Sequence, residues 1–400
     1  MNASTDHSRA QLVGAHSDGR GVTKPEGSRA DRRTSFNIDD FALPTGREEE
    51  WRFTPITQLE QFFTPTPVQE HGINWQVLHG GADVASLRHG QQPRDTVLTP
   101  ADRLSAIAAA LTDEALYLTI PAGRELAEPV RVNIAGIGRS ETNYGHVVVE
   151  ARAGSRAVVI LDHTGSARLN GNVEIKVEDE AELTVVSLQR WNDDAIHTGE
   201  HKAVVGKDAN FKHVVVTLGG ALVRLNANVA YTEQGGSAHL LGVYFADAGQ
   251  HLEHRSFVDH NTANCVSRVT YKGALQGQDA RTVWVGDVLI RAEALGTDSY
   301  EQNRNLVLTE GARADSIPNL EIETGQIEGA GHASATGRFD DNQLFYLMSR
   351  GIDEATARRL VVHGFFAEVV NEIGVPEVVE LVMAAIEAEL DSAQAAGAAV

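Results

Sequence analysis

The pattern of hydrophobic and polar positions changes character twice along the chain. From Ala115 to about Gly337, short runs rich in Val, Ile, Leu and Thr alternate with Gly, Asp and Asn turns, and no helix-length amphipathic segment intervenes. HVVVEA, AVVILDH, VEIKVED, LTVVSLQ, VVVTL, LVRLNANVAYT, HLLGVYF and TVWVGDVLI are the clearest strands of this all-β region. After Gly337 the apolar positions take up helical spacing. DNQLFYLMSR ends at Gly351, a natural residue to follow a helix, and Asp340 with Gln343 has the form of a capping box. A second helix is expected from Asp353, with Leu360, Val361, Phe365, Val369 and Ile373 in helical register, until Gly374 and Pro376 break it. PEVVELVMAAIEAELDSA reads as a third.

The segment before the β region is mixed. Trp51, Phe53, Ile56 and Leu59 lie near helical spacing, with Pro55 confined to a first turn, and ADRLSAIAAALTDEALYLTIPAG reads as a short helix running into a strand. The first 35 residues are rich in Ser, Gly, Asp and Arg, with few groups to bury, and are expected to be disordered. The division predicted is a tail over 1–35, a helical and mixed region over 36–96, a β core over 97–338 and a separable helical domain over 339–400.

Within the β core a turn followed by a small residue recurs. Aligning Ser155, Ala181, Ala209 and Ser237 gives steps of 26, 28 and 28, with a weaker echo at Gly311-Ala312-Arg313-Ala314. A repeat of that length without helical crossovers fits a β-helix or a sandwich, and the near-constant step favours stacked coils.

Composition narrows the chemistry. A formal charge of −21 argues against a nucleic-acid or anionic-lipid partner, both of which require clustered Lys and Arg. No apolar run reaches a membrane span. Cys265 is the single cysteine, so a cytoplasmic setting is the natural expectation and the chain alone cannot hold a cluster through four thiolates. The phosphate loop, the dinucleotide fingerprint and the nucleophile elbow are all missing from the sequence.

Four groups of residues invite a chemical reading. HLEHRSFVDHNTANC places His251, His254, His260 and Cys265 close together, but residues three apart on a strand point to opposite faces, so ordinary packing is favoured over a metal site. Cys265 itself reads as a small buried hydrophobe. Glu321 and Glu323 would share a strand face near Glu328, a pairing that acid–base chemistry can use and that is more often only solvated. His332 lies among Gly329, Ala330, Gly331, Ala333, Ser334 and Ala335, so little bulk covers it and it is open to a partner or ligand. In the tail, Phe365-Phe366 and Val378-Val379 pack on the β core or present a face to a partner helix.

The stretch from Thr297 to Val370 resembles the C-terminal signature of the SufB/SufD family. The matching elements are Gln302-Asn303-Arg304-Asn305, Ala314-Asp315-Ser316 before Pro318, His332 to Gly337, and LFYLMSRGI from Leu344 to Ile352. EEEWRFTPI, from Glu48 to Ile56, is similar to the family's N-terminal motif with Phe53 in place of Tyr, and CVSRVTYKGAL resembles its mid-chain segment. Ala314 stands where SufB-like chains carry Cys, which places the resemblance on the SufD side. The resemblance implies a right-handed parallel β-helix with small helical N- and C-terminal domains. It implies a non-catalytic scaffold for iron–sulfur cluster assembly, pairing with a SufB-like subunit and a SufC-like ATPase. His332 would be a ligand of a transient, shared cluster, and Tyr346, Arg350, Gly351, Phe365 and Phe366 would belong to the ATPase-docking tail. A SufB-like homodimer and a β-helix enzyme acting on polysaccharide are the alternatives.

Overall fold

A computed structural model describes residues 31–339 and 341–395. Asp340 of the expected capping box, and residues 1–30 of the expected tail, lie outside the described residues. The chain is already anchored before residue 36, because Arg32 pairs with Glu50 at 2.6 Å and the Ser35 N–H donates to Pro100 O.

The region expected to be helical contains short 3₁₀ turns at Ile38–Asp40 and Ile56–Phe62, with Pro55 just ahead of the second. Strands β1 (Ile73–Leu78) and β2 (Asp83–Arg88) follow. Helix α1 (Arg103–Leu111) is capped by Asp102, which accepts from the Ser105 N–H, and runs into β3 (Glu114–Ile120) as the sequence predicts.

The solenoid begins with two long strands, β4 (Val130–Ala151) and β5 (Arg156–Val177). Each bends from one wall to the other. At Gly165 the backbone has φ +76° and lies against Gly136 of the coil below, so a side chain there would strike main chain. Shorter strands then alternate between the walls. β6 (Glu182–Trp191), β8 (Asn210–Thr217), β10 (Ser237–Ala246), β12 (Val266–Leu275), β14 (Asp298–Val307) and β16 (Gly329–Arg338) stack from the first half of β5. β7 (Ile196–Val205), β9 (Leu222–Tyr231), β11 (His251–His260), β13 (Arg281–Ile290) and β15 (Arg313–Ile322) stack from its second half. Every pairing along both stacks is parallel and in register, the arrangement of a β-solenoid.

The stacked column runs Arg156, Glu182, Asn210, Ser237, Val266, Asp298, Gly329. Ser237 therefore stacks on Asn210, one residue off the alignment that the spacing suggests, because turn lengths vary from coil to coil. The echo at Arg313 belongs to the other wall, above Arg281.

Inward side chains fill the solenoid with small and β-branched groups such as Val159, Val185, Leu240, Val269 and Val229. Two coils interlock more tightly. Gly242 pairs with Tyr271 and Gly273 with Tyr244, and a methyl group at either glycine would overlap the facing ring. Histidines are buried here too. Burial pushes the rings of His163 and His213 down to about 4 and those of His254 and His260 to about 3, so they pack as neutral groups.

Three helices close the chain: α2 (Asp341–Ser349), α3 (Glu354–Glu372) and α4 (Pro376–Ala395). Gly351 follows α2 with φ +87°, Asp353 caps α3, and Pro376 opens α4, as the sequence predicts. The helical tail, expected to be a separable domain, packs an apolar face on the solenoid. Val362, Phe366, Val369, Val370, Val382 and Ile386 form one apolar cluster with the outward Ile160, Val186, Val214, Leu241, Val243 and Phe245 of one wall.

Candidate functional site

The last two coils break the apolar rule of the interior. In β14, Tyr300 and Arg304 face out, while Ser299, Glu301, Asn303 and Asn305 are buried on the inward side. Asn303 donates to Tyr244 Oη (2.8 Å) and to the Tyr271 carbonyl (3.1 Å), and Tyr244 Oη donates to Asn305 Oδ1 (2.8 Å). Asn305 in turn donates to Asn303 Oδ1 (2.7 Å). This closed network explains why Asn303 and Asn305 of the Gln302–Asn305 run are polar yet buried.

β16 stacks on β14 with His332 over Glu301, Ser334 over Asn303 and Thr336 over Asn305. His332 therefore turns toward the solenoid interior, but in the described structure no strand pairs with the far edge of β16. Its side chain stays 44% exposed, with Nδ1 4.0 Å from Glu301 Oε1. Across the coil, Ser334 and Ser316 hydrogen-bond through their hydroxyls at 2.8 Å. The structure thus brings together two stretches that are separate in sequence: Ala314-Asp315-Ser316 on one wall and His332 to Gly337 on the other.

Glu301 is the unusual member. Its side chain is fully buried, and neither carboxyl oxygen makes a hydrogen bond of good geometry. Its tip reaches the opposite wall, where a Cβ at Gly286 would lie 2.6 Å from Oε2. Burial pushes its pKa up to about 8, against a small opposing pull from the Asn319 backbone.

The family model for the SUF system FeS cluster assembly SufBD core domain matches residues 134–365, from the first bent strand to the middle of α3. A SufBD family iron–sulfur cluster assembly protein of Mycobacterium bovis is 50% identical over 364 residues, covering 89% of this chain and 92% of that protein. This chain belongs to the SufBD family. The iron–sulfur cluster assembly protein SufD of Escherichia coli is 24% identical, with 83% of this chain and 85% of that protein covered. SufD of Bacillus subtilis is 25% identical, with 74% and 68% covered.

The remaining SufBD motifs fall into two places. The Glu48–Ile56 motif is an anchor. Trp51 lies under the Arg224 guanidinium at 4.1 Å, Thr54 donates to Glu253, and Glu50 pairs with both Arg224 and Arg255. LFYLMSRGI is a surface. Phe345, Tyr346 and Met348 are exposed, and Arg350 sits 5.1 Å over the Tyr346 ring. Of the other tail candidates, Gly351 is exposed and Phe365 half-buried beside Lys272, whereas Phe366 is fully buried in the apolar seam and holds α3 down.

The mid-chain histidines do not converge. His251 faces outward to Glu253, while His254 and His260 face inward to Thr217 and Ser267. Cys265 is buried, and burial raises its thiol pKa. Glu321, Glu323 and Glu328 are exposed. One three-residue group with metal-ligand spacing exists among the described residues, Asp95, His146 and Glu174. The Glu174 carboxylate there already accepts from the Asp95, Val97 and Leu98 N–H groups and contacts His146 Nε2 at 2.7 Å. That grip pins the N-terminal loop to the solenoid. Sequence reading missed Glu301, although its signal was present: three polar residues at i, i+2 and i+4 in a strand whose inward row should be apolar.

Proposed function

We propose that this chain is a SufD-type scaffold subunit of an iron–sulfur cluster assembly machine, carrying no catalytic step of its own. The carrying observation is His332, inward-facing yet accessible at the open end of the solenoid, over a polar rather than apolar coil. An imidazole is a competent iron ligand beside thiolates, and a mixed ligand set suits a site that must release its cluster. The buried Cys265 offers nothing accessible to that site, so the thiolates would come from a SufB-like subunit docked at the open coil. The cluster is then a transient, shared product. The exposed Phe345, Tyr346 and Met348, with Arg350 and Gly351, form the surface expected to take a SufC-like ATPase. No described helix is long and apolar enough to cross a membrane, and a cytoplasmic complex is the proposed setting.

The test is His332→Ala in the assembled complex. The expected outcome is normal complex yield with cluster formation and rescue of a strain lacking this subunit both lost. Full rescue would remove His332 from the site.

A further inference from the structure

The interior beneath His332 holds a second group that neither the fold nor the packing explains. A fully buried carboxyl with no hydrogen bond of good geometry costs stability wherever it sits. Glu301 is also the residue in register directly under His332, and its Oε1 lies 4.0 Å from the ring's Nδ1. The absence of a side chain at Gly286 on the opposite wall is what leaves space for the carboxyl tip, since a Cβ there would lie 2.6 Å from Oε2.

Histidines that bind metal usually donate their other ring N–H to a carboxylate or carbonyl, which fixes the tautomer and the ring plane. The other inward side chains of this coil are poorly suited to that task. Ser334 is occupied with Ser316, and Asn303 and Asn305 are satisfied by Tyr244 and by each other.

We infer that Glu301 is a positioning residue: it accepts the Nδ1–H of His332 and so turns a bare Nε2 toward the open end of the solenoid, where iron would arrive. A carboxyl group keeps an acceptor oxygen in either protonation state, so the contact does not require Glu301 to be charged. Without it, a free imidazole prefers its proton on Nε2, which would present a donor to the metal instead of a lone pair. This inference rests on the reading of His332 as a ligand, but the contact itself can be tested without iron.

The experiment is nitrogen NMR of the full chain labelled at histidine, at a pH well above the ordinary histidine range, with His332 assigned by difference from His332→Gln. The expected wild-type signal is an Nδ1–H, Nε2-bare ring. Glu301→Gln, whose amide oxygen still accepts, keeps that tautomer, and Glu301→Leu converts it to Nε2–H. A wild-type ring protonated on Nε2 overturns the inference, as does a tautomer that Glu301→Leu leaves unchanged. If the Leu variant fails to fold, the wild-type tautomer still decides. In the assembled complex, Glu301→Leu should lower the rate of cluster formation at least tenfold and Glu301→Gln by much less. A Glu301-dependent tautomer combined with full activity of His332→Ala would leave the pair standing and remove the ligand role. The reverse result would remove only the pair.

Discussion

The two walls of the solenoid are covered in different ways. The wall that carries β6 to β16 meets α3 and α4 through side chains such as Ile160, Val214 and Phe245 against Phe366, Val369 and Val382. The wall that carries β7 to β15 meets the N-terminal segment through a small apolar cluster, Trp51, Leu59, Phe62, Phe63 and Leu104 on Leu222, set beside a network of buried charge. Arg224 there pairs with Glu50, Asp102 and Glu253, and Arg255 pairs with Glu50 and Glu253. Asn170 and Asn172 on the same wall donate to the carbonyls of Leu104 and Ser105 in α1. An apolar seam tolerates sliding but resists exposure, whereas a buried ionic seam adds little net stability and fixes one placement. The N-terminal segment is therefore located by its charges, and the C-terminal helices are retained by their area.

The largest effect expected from this contrast is that of cutting the chain after Gly337. Each fully buried Val, Leu, Ile or Phe is worth roughly 1.5–3 kcal/mol, and the six wall residues named above would all be uncovered at once. Their sum is comparable to the whole stability of a typical domain, about 5–15 kcal/mol. The truncated chain should aggregate or lose cooperative unfolding by circular dichroism and gel filtration. A soluble monomer with an intact transition would show the apolar seam to be dispensable.

Breaking the ionic seam should cost less and act locally. Arg224→Met leaves carboxylates buried without their central cation, an effect of about 3–5 kcal/mol. Limited proteolysis should then cut first between residues 31 and 70, with the solenoid surviving longer. Adding Glu253→Gln should recover part of the loss, and a purely additive double mutant would deny the coupling.

Acid separates the interior from the seam. The buried histidines have folded pKa values of about 3–4 against an ordinary 6.5, so the unfolded chain takes up protons first. Their contribution is whole above pH 6.5 and is lost as the pH falls through that window. Burial alone would raise Glu253, but His251, Arg224 and Arg255 overcome it and hold the carboxyl at about 2 against 4.5. The stability it supplies is present above 4.5 and disappears as the pH falls toward 2. Urea midpoints should therefore begin to drop below pH 6.5, and His254→Phe should flatten the upper part of that slope. A flat profile down to pH 4.5 would mean that the core histidines are not buried as neutral rings.

The smallest expected change is the stability of His332→Ala. Its side chain touches neither seam and is 44% exposed, so the thermal midpoint should shift by the equivalent of about 0.5 kcal/mol. A larger drop, read by calorimetry, would make His332 a structural residue.

Much of this was legible in the sequence, and the rest has physical reasons for being hidden. The strands, the coil length and the helical switch near Gly337 follow from local periodicity. Even the difference between the walls left a trace. VVILD, LTVVSL and VVVTL are apolar on both faces, as strands buried on both sides must be, whereas IHTGEHKAVV and HLEHRSFVDH interleave charges. The expectation of a separable tail came instead from the switch to helical spacing near Gly337, which says nothing of what the helices pack on. The placement of Ser237 was lost because turns absorb single-residue changes without altering the strands. Glu301 drew no reading because nothing local says that β14 is the coil beneath the last, and the contacts of Glu174 with Asp95 and His146 join residues far apart in the chain.

The two tyrosine–glycine pairs bind the history of two coils together. Because each ring occupies the space that the other strand's missing side chain leaves, enlarging Gly242 is tolerated only if Tyr271 shrinks, and the same holds for Gly273 and Tyr244. The four positions thus form two obligate couples, and mutational drift through this part of the solenoid must proceed by paired replacements or through a transiently weakened intermediate.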